Sequence, residues 1–153
     1  TFGKNRHGKP SKERVKAAIR VSQAEEFVSK LDDKEKAHIA QGGTNVSGGQ
    51  KQRLSIARTI ARDPEIYIFD DSFSALDYKT DSTLRSELKK YTKDATVMIV
   101  AQRIGTILNA DKIVVLDNGK CVGIGTHKEL MKKCKVYKEI ALSQVSKEEL
   151  ENV

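Results

Sequence analysis

The sequence predicts an α/β fold built on a parallel sheet. Three observations carry that expectation. Short, continuous apolar runs recur at 66–69, 97–100 and 113–116, and each suits a strand buried on both faces. Amphipathic helical stretches separate the first two runs and follow the third, and strands alternating with helices build α/β folds. Segment 41–49 holds four glycines and then gives way to a helical pattern, which requires a tight loop there.

Each element follows from its residues. Segment 1–10 contains Gly3, Gly8 and Pro10 and reads as an irregular lead-in. Ser11 offers an N-cap to a helix whose Val15, Ala18 and Ile19 share one face. Ala24, Phe27, Val28 and Leu31 repeat that spacing and predict a second helix. From Gln50 a third helix carries a stripe of Leu54, Ala57 and Ala61, widened by Ile56 and Ile60 and closed by Pro64. The run Ile66-Tyr67-Ile68-Phe69 ends abruptly in Asp70-Asp71, with Tyr67 and Phe69 read as core. A polar helix is expected over 80–91, and Asp117-Asn118-Gly119-Lys120 is a hairpin signal leading into a strand at 121–124. Helices are expected from Lys128 to about Val145.

Composition narrows the function classes. The 153 residues make one domain or part of a larger one. With 38% hydrophobic and 32% charged residues, the chain is not simply disordered. No stretch approaches the roughly 20 apolar residues of a membrane helix, and the first residues lack the apolar segment of a signal peptide. The net charge of +7 comes from 28 basic and 21 acidic residues spread along the chain, which points to a solvated surface and not to nucleic acid. Cys121 and Cys134 cannot form a disulfide framework or a zinc site and read as packing residues in a reducing compartment. His7, His38 and His127 have no ligand-like spacing and read as surface or loop residues.

Two groups could carry chemistry. In Asn45-Val46-Ser47-Gly48-Gly49-Gln50-Lys51-Gln52-Arg53, two glycines open a helix, so bare N–H groups gather at its positive end, as a phosphate cradle needs. Asp70 and Asp71 stand at the end of a buried strand, a usual way to hold Mg²⁺ beside a nucleotide. Either alone also reads as an ordinary helix start or acidic turn.

Their order and spacing resemble the nucleotide-binding domain of ABC transporters. VSGGQKQR resembles that family's signature, IYIFDD its Walker B strand and Ser74-Ala75-Leu76-Asp77 its D-loop. Val100-Ala101-Gln102-Arg103 stands where the family has its switch-histidine loop, and Gly125-Thr126-His127-Lys128-Glu129-Leu130 resembles exporters. The resemblance implies a P-loop NTPase-like parallel sheet, partial because the Walker A strand is missing, with part of the ABC α-helical subdomain. It implies a helical region over 1–62 ending in the signature helix and the second half of the catalytic core over 63–153. It further implies ATP and Mg²⁺ as cofactors. Ser47, Gly48 and Gly49 would hold the γ-phosphate of a partner's ATP, Gln50 would support that loop, and Asp70 would bind the metal. Position 71 would align the attacking water, Gln102 would stand at the switch position, Asp77 would communicate across the dimer and 41–45 would meet the membrane domain. The implied partners are a second nucleotide-binding domain and an upstream transmembrane domain of the same polypeptide, at the cytoplasmic face of the membrane. A non-transport ABC-type ATPase and a non-catalytic fragment are the alternatives.

The pattern is broken in three places. Asp71 replaces the usual Glu, and a misplacement of about 1 Å can cost on the order of 100-fold in rate. Gln102 replaces His and cannot ionise near neutral pH. Together these suggest a weakly hydrolytic site, as in one half of a heterodimeric multidrug or lipid exporter. Finally, Gly3-Lys4-Asn5-Arg6-His7-Gly8-Lys9 mimics a phosphate loop, but Pro10 replaces its Ser or Thr and no apolar strand precedes it. The true phosphate loop is therefore expected upstream, and the sheet is expected to keep exposed edges that leave the fragment marginal alone or paired with a copy.

Overall fold

The computed structural model describes residues 10–144, so the phosphate-loop mimic at 3–9 lies outside the described residues. The chain divides into two compact units, Thr1–Met98 and Ile99–Val153.

The first unit is ordered around one helix. Helix α1, Lys12–Val21, starts where Ser11 accepts the Arg14 N–H at 3.2 Å. The short α2, Glu25–Ser29, follows. Two single 3₁₀ turns lead to α3, Gly48–Arg62, which begins two residues earlier than its apolar stripe suggested. Its face of Ile56, Ala57, Ile60 and Ala61 is buried, and α3 packs against α1. Burying an isoleucine is worth roughly 1.5–3 kcal/mol, so this seam is a principal stabiliser. Arg53 adds a polar tie. Its Nη1 donates to the Gln23 carbonyl at 2.7 Å, and its guanidinium lies 4.9 Å from the Phe27 ring centroid. The helix stops at Asp63, which turns left-handed (φ 50°) just before Pro64.

Strand β1, Ile66–Asp70, then pairs with β2, Thr96–Val100, in a two-stranded parallel sheet, with α4, Tyr78–Tyr91, as the crossover between them. Tyr67 and Phe69 are buried as expected, and Phe69 meets Phe73 with ring centroids 5.5 Å apart. Burial on both faces is not observed, however. The period of two turns Ile66 and Ile68 to solvent, 59% and 63% exposed, and Met98 is 55% exposed. Along β1 one face is covered and the other open, while on β2 only Ile99 is partly buried.

In the second unit the third apolar run forms a hairpin of its own. Strand β3, Ile113–Asp117, pairs antiparallel with β4, Lys120–Gly125. Asn118 and Gly119 both take positive φ, 47° and 76°, as a two-residue hairpin turn of this hand requires. Ile113 and Val115 face the core while Val114 and Leu116 are exposed. A short helix unanticipated by the apolar pattern, α5 at Ile104–Ile107, contributes Ile104 to that core. Helix α6, His127–Lys133, opens with a reciprocal cap between Thr126 and Glu129, and α7, Lys135–Gln144, follows. Among the described residues no helix is long and apolar enough to cross a membrane.

Two residues of this unit depart from their expected places. His127 is not at the surface. It is buried, and its Nδ1 lies 2.8 Å from the Tyr137 hydroxyl because the first turn of α6 faces α7. Cys121 is not a packing residue, since it lies exposed on β4, whereas Cys134 is buried as expected. His38 is exposed and His7 lies outside the described residues.

Two measurements test this packing. A Cβ on Gly123 would stand 2.9 Å from Cys134 Sγ and 3.0 Å from Leu130 Cδ2. Gly123→Ala should therefore destabilise by about 1–3 kcal/mol through overpacking, read as a lower thermal midpoint. Burial, with Lys128 nearby, holds the His127 pKa below its ordinary 6.5. Below pH 6.5 the unfolded chain then takes up a proton that the folded chain refuses. Stability should fall as the solution is acidified through that range and stay flat on this account above it. His127→Gln should remove that acid-sensitive component from urea midpoints measured against pH.

Candidate nucleotide-binding site

The first unit gathers most of the expected site residues around the N-terminus of α3. Ser47 is the N-cap. Its Oγ accepts the Gln50 N–H at 3.3 Å, and the Gln50 side chain returns the bond by accepting the Ser47 N–H at 2.9 Å. Gln50 is thus placed as the support of this turn. The N–H groups of Gly48 and Gly49 precede the helix's own bonding ladder and have no acceptor among the described residues. Ser47 and Gly48 are exposed. The result is an open, positively polarised helix end with a free hydroxyl proton beside it.

The preceding loop is held by Asn45. Its Oδ1 accepts the Ala40 N–H and its Nδ2 donates to the His38 carbonyl, both at 3.0 Å. Gly42 and Gly43 supply the positive φ values, 70° and 65°, that this turn needs.

Asp70 ends β1 and Asp71 follows in the left-handed region at φ 45°. Both carboxylates are exposed, with no hydrogen bond or ion pair among the described residues. Their backbone is well held, since Ser72 Oγ donates to the Asp70 carbonyl and Ser74 Oγ to that of Asp71, each at 3.2 Å. No cluster of three or more His, Cys, Asp or Glu side chains suited to a metal ion occurs among the described residues. The donors present are the two exposed carboxylates alone, and two carboxylates suit only a cation such as Mg²⁺, which keeps several waters and takes its other ligands from phosphate.

Asp77 is the N-cap of α4. Its Oδ1 accepts the Thr80 N–H at 3.0 Å, and hydrogen bonding from the Thr80 side chain, then from this N–H, holds its carboxyl below the usual range. Gln102 belongs to the second unit, where its side chain is exposed. There the Gln144 amide grips the loop around it, donating to the Gln102 carbonyl at 2.8 Å and accepting the Ile104 N–H at 2.9 Å.

One residue of the motif was given no role by sequence reasoning. Gln52 donates through Nε2 to the Asp71 carbonyl at 3.2 Å and to Ser74 Oγ at 3.1 Å, and accepts the Ala75 N–H at 2.9 Å. Its spacing places Gln52 on the same helix face as Gly49, three residues on, but does not name the loop it bonds.

Comparison with known proteins relates the sequence and fold to ABC transporters. The ABC transporter family profile matches residues 2–74. An uncharacterized ABC transporter ATP-binding protein of Mycobacterium tuberculosis is 50% identical over 83% of this chain and 22% of its own length. A Staphylococcus aureus protein provisionally named a multidrug export ATP-binding/permease protein is 42% identical over 84% of this chain and 22% of its own. A bacterial Atm1-family ABC exporter with ATP bound superposes with a TM-score of 0.83 at 31% identity, over 90% of this chain and 24% of that one. The chain belongs to the ABC transporter ATP-binding family. It corresponds to part of an exporter-type nucleotide-binding domain and spans about a fifth of the length of the curated relatives it matches. ABC domains of this kind bind ATP.

A direct check on the ABC signature turn is available. Ser47→Ala removes the cap but leaves the glycines, and should cost about 1 kcal/mol of stability in chemical denaturation, with Gln50→Ala costing a similar amount.

Proposed function

We propose that this chain is the signature-bearing part of an exporter's ATPase domain, in which Ser47, Gly48 and Gly49 receive the γ-phosphate of ATP held by a partner subunit. The observation that carries this reading is the capped, outward-facing start of α3, with two N–H groups that have no acceptor among the described residues. Such a terminus favours a multiply charged anion. On this reading 1–62 is the helical region ending in the signature helix, and 63–153 is the second half of the catalytic core.

The unengaged Asp70 carboxylate would hold Mg²⁺, mostly through water, and the metal would offset charge on the phosphates. Asp71 and Gln102 would each slow the chain's own ATP hydrolysis, Asp71 because its carboxylate is short and Gln102 because it cannot ionise. Asp77 would pass the state of one site to the other across the dimer. The partner is an unlike subunit with a competent site, and both subunits work beneath a transmembrane domain. The name of the Staphylococcus aureus relative, which joins ATP-binding to permease, supports the transmembrane part of that assembly.

The test is ATP turnover in the assembled transporter. Asp71→Glu together with Gln102→His should raise hydrolysis at this chain's own site by roughly 10- to 100-fold. Asp70→Asn should remove the Mg²⁺-dependent part of turnover there. Unchanged turnover in the double variant would refute the weak-site reading. Full turnover by a lone homodimer would refute the unlike partner.

A further inference from the structure

We propose that Gln52 is a positioning residue, which seats segment 71–75 on the signature helix so that the carboxylate of Asp71 and the signature turn move as one body. The inference rests on the ATPase reading above.

Two independent observations carry it. The first is the trio of bonds from a single amide. Gln52 Nε2 donates to the Asp71 carbonyl and Ser74 Oγ, and Oε1 accepts the Ala75 N–H, so both ends of the amide are used on one loop. The second is a close backbone approach one turn earlier. A Cβ on Gly49 would stand 3.0 Å from the Ala75 carbonyl oxygen, so the loop rests directly on the signature turn. Gly49 and Gln52 lie on one face of α3, three residues apart, and both meet Ala75.

The amide acts on the backbone of Asp71 and not on its carboxylate. That backbone is in the left-handed region, φ 45°, which residues with a Cβ enter uncommonly and aspartate more readily than most. Fixing the Asp71 carbonyl fixes where its side chain starts. A phosphate drawn onto Gly48 and Gly49 pulls on the first turn of α3, and the amide transmits that pull to the residue that would align water in the other site. Glutamate at position 52 could still accept the Ala75 N–H but would set a carboxylate oxygen against the Asp71 carbonyl.

The experiment is a double-variant cycle with hydrogen exchange, carried out in the assembled transporter. Asp71→Glu should raise the rate per site at least tenfold with Gln52 present and less than threefold beside Gln52→Ala, with KM for ATP changed less than twofold. A merely structural residue would lower the yield of folded protein without erasing that gain. The Ala75 amide should exchange at least tenfold faster in Gln52→Ala and keep most of its protection in Gln52→Glu, while both variants lose the gain. An equal gain in both backgrounds overturns the proposal, as does Ala75 exchange that ignores Gln52→Ala. If Asp71→Glu brings no gain in either background, the reading of position 71 fails, and exchange alone then decides whether Gln52 seats the loop.

Discussion

Burial of one face of α3 is the constraint on which the first unit depends. Ile56, Ala57, Ile60 and Ala61 lock the C-terminal half of that helix against α1. Arg53 fastens its middle to the turn after α1. With the apolar half fixed, the N-terminal half is free to be polar. It carries a reciprocal cap, two glycines without acceptors among the described residues, and an amide that reaches the loop after β1. Hydrophobic burial supplies the rigidity, and hydrogen bonds spend it on placing groups that face solvent. The same division recurs in the second unit, where a core of Ile113, Val115, Leu130 and Tyr137 supports α7, and the last residue of α7 grips the loop around Gln102.

The candidate site is unusual in how little its acidic groups are held through their side chains. Asp70 and Asp71 are fixed by their carbonyls, which take bonds from Ser72, Ser74 and Gln52, and their carboxylates have no partner among the described residues. A cation that keeps its own water needs that arrangement, because a carboxylate already tied to a protein donor would have to be released first. Asp77 shows the contrast. Its carboxylate is occupied by the α4 cap, so a role in signalling would be exerted through the helix it starts.

Much of this was legible in the amino acids. Ser11, Pro64 and the Asn118-Gly119 pair mark boundaries through purely local chemistry, and local chemistry is what a sequence states most directly. The ordered motifs were enough to reach the family. What escaped depends on tertiary neighbours. The run at 66–69 is apolar at every position, so nothing in it tells a strand covered twice from one covered once. His127 gives no sign that Tyr137 waits one helix away, and nothing local tells that Cys121 stays exposed on β4 while Cys134, at the end of α6, is buried against Gly123. Gln52 sits inside the most recognisable motif of the chain, yet its partners lie 19 to 23 residues away and no spacing rule of a single helix reveals them.

The left-handed backbone at Asp71 also bears on how this chain can change over generations. Such a conformation is entered most readily by glycine, asparagine and aspartate, and β-branched residues are nearly shut out of it. Drift at this position is therefore steered by main-chain geometry before chemistry is consulted. Aspartate is the carboxylate that such a turn accepts most easily, so a lineage that relaxes its demand for turnover would settle there with little further adjustment. Returning to the longer acid would ask the turn, and not only the side chain, to accommodate it.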